Sequence, residues 1–307
     1  MNQKLPALWT LNEWHIRLQR IILWSGVVVY TISLPHIIFV YNAIVKQFPQ
    51  NVTGKIPFVI ILSFGITYLV WGIISRKTVR CVINCIICAF IAGTIIALQP
   101  NPNKHIHIPE YIFMSWLLYT ALSKDYKGGG IFVLIFICAV MLGVFDELMQ
   151  GFHPGRRFGW IDMSINASSS FIGILMLTAL KNRSRKDWDW LNSLKQCKLS
   201  IITMCIGLIG TVCMCFYLFD VKGTEPNWAI YPQWLLGWDG LIFVTSSMVI
   251  IYHARQLYTT NRGKKPKTAM LIDAEITTLL WLFCPLAILF LMHALVFWGA
   301  VSKAPFR

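Results

Sequence analysis

The chain has 307 residues, of which 56% are apolar and only 13% are charged. Soluble domains have about 45–50% apolar and about 25% charged residues, so this composition excludes a water-soluble globule, a disordered chain and a coiled coil. Lysine and arginine number 27 against 13 acidic residues, which gives a net charge of +14. That charge would indicate nucleic acid binding in a soluble protein, whereas in a membrane protein its distribution sets the orientation.

Apolar stretches long enough to cross a membrane recur along the whole chain. A span needs about 20 mostly apolar residues. Nine stretches are predicted as spans: Ile21–Val45, Ile56–Ser75, Val79–Leu98, Ile108–Leu122, Gly130–Gln150, Trp160–Leu180, Leu199–Phe219, Trp234–His253 and Thr277–Trp298. The fourth is short, and the sixth contains several Ser and Asn residues. The predicted fold is an all-α polytopic transmembrane bundle of about nine helices.

The positive residues predict how this bundle is oriented. Alternate loops hold 19 of the 27 lysines and arginines on one side and 8 on the other. Cytoplasmic loops carry the excess of positive charge. We therefore expect a cytoplasmic N-terminus and an external C-terminus, and no nucleic acid partner.

The same pattern suggests an organisation into four regions. Residues 1–78 hold an N-terminal interfacial segment and two spans, and residues 79–180 hold a core of four spans. A basic cytoplasmic linker at 181–198 separates them from three further spans at 199–307. Trp9 and Trp14 before the first span, and Trp188 and Trp190 in the linker, predict short segments lying on the inner membrane surface.

Several residues within the spans look reactive and are interpreted as structural. Cys81, Cys85 and Cys88 have a spacing seen in iron–sulfur enzymes, but here they lie in an apolar helix, where cysteine behaves as a small hydrophobe. Polar residues toward the inner side are His36, Asn84 and Asp239. They are too few to favour a transporter, which needs polar groups through the whole bilayer.

Acidic residues are rare in this chain, and four of them fall at the ends of the fourth, fifth and sixth spans. These are Glu110, Asp146, Glu147 and Asp162, and the predicted topology places all four near the outer side. Ionisable groups at membrane depth are costly and usually face a bundle interior, where they mark a site. The sequence therefore predicts a polar pocket at the outer ends of these three helices.

Helical spacing gathers further polar residues around the four acids. His107, Glu110 and Tyr111 share a face of the fourth helix, and Gln150 lies one turn from both acids of the fifth. The short loop after the fifth helix carries Arg156 and Arg157, which are expected to lie close to the acids. On the sixth helix, a stripe suited to close helix packing consists of Asp162, Asn166, Ser169 and Gly173. If every group ionised, the cluster would be overcharged, so a carboxyl stays protonated, an arginine bridges two acids, or a cation binds.

The spacing of these residues resembles the signature of VanZ-like membrane proteins. Residues 146–156 read Asp-Glu-Leu-Met-Gln-Gly-Phe-His-Pro-Gly-Arg and are followed by Asp162 and Asn166, while residues 107–111 read His-Ile-Pro-Glu-Tyr. The likeness covers about residues 80–180, and Ser169 stands where the family usually has glycine. It implies a multi-pass protein of the bacterial cytoplasmic membrane, in a family named for resistance to the glycopeptide teicoplanin and proposed to be related to enzymes acting on lipid head groups.

The leading hypothesis is therefore a pocket that acts on or binds an envelope lipid, a lipid-linked envelope precursor or a head group. Arg156 and Arg157 would hold a phosphate, His107 and Glu110 would transfer protons, and Asp146, Glu147 and Asp162 would act as a base or coordinate a divalent cation. Gln150, Asn166 and Tyr111 would orient the substrate. In the rival hypothesis the protein is not catalytic and the cluster is a structural clasp; a transporter is the third alternative.

Overall fold

The computed structural model is helical throughout the part of the chain that it describes, with no strand there. That part comprises residues 7–124, 126, 128–150, 159–181, 198–203, 205, 206, 209, 233–261, 287, 290, 291 and 294. In chain order its helices are α1 Ala7–Ser33, α2 Ile37–Gln47, α3 Gln50–Thr53, α4 Ile56–Ile74, α5 Thr78–Leu98, α6 His107–Leu122, α7 Ile131–Gln150, α8 Trp160–Leu180 and α9 Gln233–Asn261. Short 3₁₀ turns occupy Leu34–His36 and Pro102–Ile106.

Five of the described helices contain segments long and apolar enough to span a membrane. They are Leu18–His36, Ile56–Ile74, Thr78–Leu98, Ile131–Gln150 and Ile161–Leu180. This set is compatible with a multi-pass membrane protein. The second to sixth predicted spans agree with α4 to α8 to within one residue at each end, whereas most of the seventh and ninth lies outside the described residues.

The first predicted span differs from the structure at both ends. The tryptophan-containing segment before it is helical and continuous with the span in α1. The helix then breaks at Leu34–His36, well before the predicted end at Val45. Pro35 is the physical reason, because proline has no N–H to donate and its ring clashes with the preceding turn.

The helical residues belong to two compact units. One unit takes in Met1–Lys127, Ile131–Leu142 and Trp160–Ser184, and the other takes in Gly128–Gly130, Gly143–Gly159 and Arg185–Arg307. In the first unit, α6 is central and buried on nearly every side. Side chains of α4, α5, α6 and α8 form one apolar core there, which includes Tyr68, Cys81, Ile108, Ile112, Ile172 and Met176.

Helices α6 and α8 run in parallel and approach each other closely. The Ser115 hydroxyl donates to the carbonyl of Ser170 at 3.1 Å. A Cβ placed on Gly173 would lie 2.8 Å from the Cβ of Ser115 and 3.0 Å from the backbone of Ile112, so only glycine fits. The predicted role of the small-residue stripe in close helix packing is confirmed at this position.

Helix α5 packs against α8 in the antiparallel direction, through polar side chains that bond to the backbone. The Asn84 amide donates to the carbonyl of Leu175 at 2.6 Å, and the Cys88 thiol lies 3.7 Å from the carbonyl oxygen of Ile172. Asn84, a residue weighed for transport, thus joins two helices. The thiols of Cys81, Cys85 and Cys88 are free, and two of the three are buried.

In the second unit, the main described helix is α9. It begins one residue before the predicted eighth span and continues to Asn261. His253 on α9 shares a 2.5 Å hydrogen bond with the hydroxyl of Ser200, and Asp239 is fully buried. The ring of Phe243 stacks on Phe290 with centroids 4.5 Å apart.

Candidate functional site

The first turn of α6 holds a buried acid–base pair. His107 Nδ1 lies 3.1 Å from Glu110 Oε2, and the two side chains are 7% and 8% exposed. The i, i+3 spacing places both on one side of the helix, and Pro109 is tolerated between them because the first-turn N–H groups have no intrahelical partner. The predicted proximity of His107 and Glu110 is confirmed.

Aromatic side chains fix the position of this pair. The hydroxyl of Tyr30 on α1 donates to the backbone carbonyl of Glu110 at 3.0 Å, and the Tyr30 ring meets Phe113 edge-on with centroids 5.0 Å apart. Tyr111 is fully buried, and its ring centroid lies 6.5 Å from that of His107. The pair is therefore held in a packed environment rather than on a mobile surface.

A second ion pair lies beside the start of α6. Lys104 Nζ, in the 3₁₀ turn before the helix, is 2.8 Å from Asp162 Oδ1 in the first turn of α8. His105 steadies that turn, because its Nε2 lies 2.7 Å from the carbonyl oxygen of Gln99. The sequence pattern predicts Arg156 and Arg157, and not Lys104, as the cations that face the acids. The sequence feature that points to Lys104 is its position, as a cation, in the loop immediately before His107.

Asn166 lies level with the His107–Glu110 pair along the axis of the parallel helices. Lys104 pairs with Asp162, 58 positions later, and Ser115 bonds to Ser170, 55 positions later. By this register, Asn166 stands alongside residues 108–111 of α6. It is 1% exposed, and its carbonyl accepts from the Ser170 hydroxyl at 2.8 Å. We call the region of His107, Glu110, Lys104 and Asp162 the acidic end of the first unit.

The remaining predicted site residues fall in the second unit or outside the described residues. Asp146, Glu147 and Gln150 are all buried in the last two turns of α7. Residues 143–150 of α7 belong to the second unit, while residues 131–142 belong to the first. Arg156 and Arg157 lie outside the described residues.

The described residues offer acid–base chemistry more readily than a metal centre. His107 Nδ1 and Glu110 Oε2 are 3.1 Å apart, so an imidazole and a carboxyl group lie within reach of each other. Histidine and glutamate are among the side chains that most often serve as general acids and bases. Among the residues that the structure describes, no group of three or more His, Cys, Asp or Glu side chains is placed to hold a metal ion.

Comparison of the chain with protein-family models, with curated proteins and with solved structures finds no match. The fold and the acidic end define a class in coarse terms: in the described part of the chain, a helical protein with five candidate membrane-spanning segments and buried ionisable side chains where two parallel helices begin.

Proposed function

We propose that this chain is a VanZ-like integral membrane protein whose polar pocket, at the outer leaflet, acts on or binds an envelope lipid or its head group. The observation that supports this proposal most is the buried His107–Glu110 pair at 3.1 Å. Its place would be the bacterial cytoplasmic membrane, with the N-terminus inside. A contribution to teicoplanin resistance belongs to the same proposal.

The energetic cost of burying the pair supports a functional role. Taking an imidazole and a carboxyl group out of water costs free energy, and their mutual contact repays it only with good geometry. A hydrophobic pair of similar volume would stabilise α6 at lower cost. In our proposal His107 and Glu110 are kept because together they move a proton to or from the substrate.

The other predicted site residues enter this proposal through the sequence. Arg156 and Arg157 would bind a phosphate, since arginine forms paired charge-assisted hydrogen bonds with phosphate oxygens. Asp146 and Glu147 would act as a further base or coordinate a divalent cation. Gln150, Asn166 and Tyr111 would orient the head group.

A structural clasp is the second candidate, and the Lys104–Asp162 ion pair favours it. That contact joins the turn before α6 to the start of α8 and leaves Asp162 with a cationic partner at 2.8 Å. Under this alternative, Asp162 holds two helix ends together and the protein is not catalytic. The two candidates differ in what a substitution changes: activity in the first and abundance in the second.

The deciding experiment compares two neighbouring histidines. His107→Gln and Glu110→Gln should leave membrane abundance unchanged while abolishing any effect of the protein on lipid composition and teicoplanin susceptibility in an expressing bacterium. Loss of an acid–base group typically costs about 10²–10⁴-fold in rate. The controls are His105→Gln, at a buried histidine bonded to a backbone carbonyl, and His36→Gln, at an exposed histidine whose Nδ1 lies 3.0 Å from the carbonyl oxygen of Ile32 in the preceding turn.

Both controls should keep the phenotype. If His107→Gln and Glu110→Gln accumulate normally and every phenotype survives, the proposed function is wrong. If instead Asp162→Asn lowers abundance and the phenotype falls only in proportion to it, the clasp explains the cluster.

A further inference from the structure

The first unit has an open groove on the side of α8 that faces away from α6. Ser170 and Gly173 face α6, and at about 100° per residue the positions of Ser168 and Phe171 fall on the other side. The groove encloses about 600 Å³, which is within the range of about 300–1,000 Å³ typical of ligand pockets. Its described lining on α5, α7 and α8 includes Ile91, Phe132, Phe136, Ala167, Ser168 and Phe171.

The chemistry of this lining fits a hydrocarbon chain. Ser168 is the one described lining residue with a polar side chain, and aromatic rings form much of the wall. Phe136 and Phe171 meet edge-on with centroids 6.2 Å apart. Water enters a cavity only where two to four polar partners hold it, so an apolar occupant is favoured here.

The surroundings of the groove identify the source of that occupant. The three helices that line it are all candidate membrane spans. Phe90, which precedes the lining residue Ile91, is 75% exposed, and Val133 of the lining itself is 43% exposed. Such surfaces lie against lipid acyl chains in a membrane, so the groove opens toward the chains of the bilayer.

The groove also lies at a suitable depth below the acidic end. Ala167 follows Asp162 by five positions on α8, which is about 7.5 Å along the axis. Ile174, at the far end, lies about 10 Å deeper still. A lipid with its head group where α8 begins would place the first part of its chain along this face.

We propose that the groove binds the acyl chain of the membrane lipid whose head group is recognised at the acidic end. The substrate is then a chain-bearing lipid rather than a water-soluble head group. This inference rests on the proposed function, which it narrows to one class of substrate.

The test compares the same substitution at two serines. Ser168→Phe fills the groove, whereas Ser63→Phe adds the same ring to an exposed position on α4, where the serine hydroxyl bonds only to the carbonyl of Val59 in its own helix. Each protein is reconstituted in vesicles of phosphatidylglycerol and phosphatidylethanolamine and re-extracted in mild detergent. The lipid that it retains is then counted and identified by native mass spectrometry.

Wild type and Ser63→Phe should each retain one phospholipid, and Ser168→Phe should retain about tenfold less, a loss equivalent to about 1.4 kcal/mol. If Ser168→Phe retains as much as wild type, or if wild type retains none, the groove proposal is overturned. Retention of free fatty acid in place of phospholipid also overturns it, because the head group would play no part. If circular dichroism shows that Ser168→Phe does not fold, Ala167→Leu is used instead, because it fills the same groove with a smaller side chain.

Glu110→Gln separates this proposal from the proposed function. It should retain the lipid, since the groove that binds the chain and the Lys104–Asp162 part of the acidic end are unchanged, while it loses the phenotype because the proton-transfer pair is broken. If Glu110→Gln keeps the phenotype and Ser168→Phe loses the lipid, the groove stands and the proposed function fails.

Discussion

The two ends of the first unit both hold lysine side chains, but these have different partners. At the acidic end, Lys104 pairs with the carboxylate of Asp162 at 2.8 Å. At the opposite end, which we call the basic end, Lys77 donates to the backbone carbonyl of Leu180. Lys181 there lies 5.8 Å from the ring centroid of Trp71 and 5.7 Å from that of Tyr119. The difference is therefore in the partner: an acid at one end, and a carbonyl oxygen and aromatic rings at the other.

This difference distinguishes the basic end, whose side chains anchor helix ends, from the acidic end, which is the candidate site. Lysine and aromatic side chains are the groups that position helix ends at a membrane interface, and the basic end needs no further explanation. The acidic end adds a buried histidine–glutamate pair that anchoring does not require. Polar chemistry in this unit is thus concentrated where α6 and α8 begin, and three predictions test the contrast.

The largest expected effect concerns the side of the membrane on which each end lies. Asn103→Cys and Arg80→Cys each place a thiol at an exposed position, one at the acidic end and one at the basic end. In intact bacteria, a membrane-impermeant thiol reagent should label Asn103→Cys above the wild-type background and should label Arg80→Cys only after lysis, because the proposed topology places the positively charged loops of the basic end in the cytoplasm. The reverse result would invert the proposed topology.

A smaller effect is expected where the two parallel helices meet between the ends. Gly173→Ala forces a methyl group to within 3.0 Å of the Ile112 backbone, and overpacking of this kind costs about 1–3 kcal/mol. Gly93→Ala is the matched control, since its Cβ meets nothing within 4 Å. Thermal unfolding in detergent should show a lower Tm for Gly173→Ala only. Equal Tm values for the two variants would contradict the close packing of α6 on α8.

The smallest effect compares the lysines of the two ends. Lys104→Met and Lys181→Met each remove one charge and keep the length of the side chain. Partly exposed ion pairs and cation–π contacts are both worth up to about 1 kcal/mol, so both variants should unfold at only slightly lower temperatures. Raising the salt concentration should destabilise wild type more than Lys104→Met, because the variant lacks the ion pair with Asp162 that salt would screen. A salt response retained in full by Lys104→Met would show that the ion pair does not stabilise the fold.

Much of this architecture could be predicted from local patterns. Runs of apolar residues place α4 to α8 to within one residue, since a helix that crosses hydrocarbon must satisfy its backbone internally. The i, i+3 spacing of His107 and Glu110 likewise predicts their contact, because it lies within one turn. The helix break at Leu34–His36 also has a local sequence feature, which is Pro35 itself, although the apolar run across it predicts one continuous span.

Contacts between helices far apart in sequence could not be predicted in the same way. Nothing in the spacing selects Lys104 over an arginine as the partner of Asp162, because that choice depends on how the turn before α6 meets the start of α8. From the sequence alone, Asn84 could line a transport pathway or donate a hydrogen bond between helices. Its bond to the carbonyl of Leu175 exists only once α5 lies antiparallel to α8.

Composition and local pattern alone predict that the chain is helical and membrane-like, and that four of its acids lie at one set of helix ends. The excess of apolar residues and the net charge of +14 are enough for that, because hydrocarbon and membrane orientation act on composition and local pattern. Tertiary structure decided which groups touch. The close approach at Gly173 brings α6 and α8 together. Lys104 then pairs with Asp162 where the two helices begin, and an apolar groove remains between α5, α7 and α8.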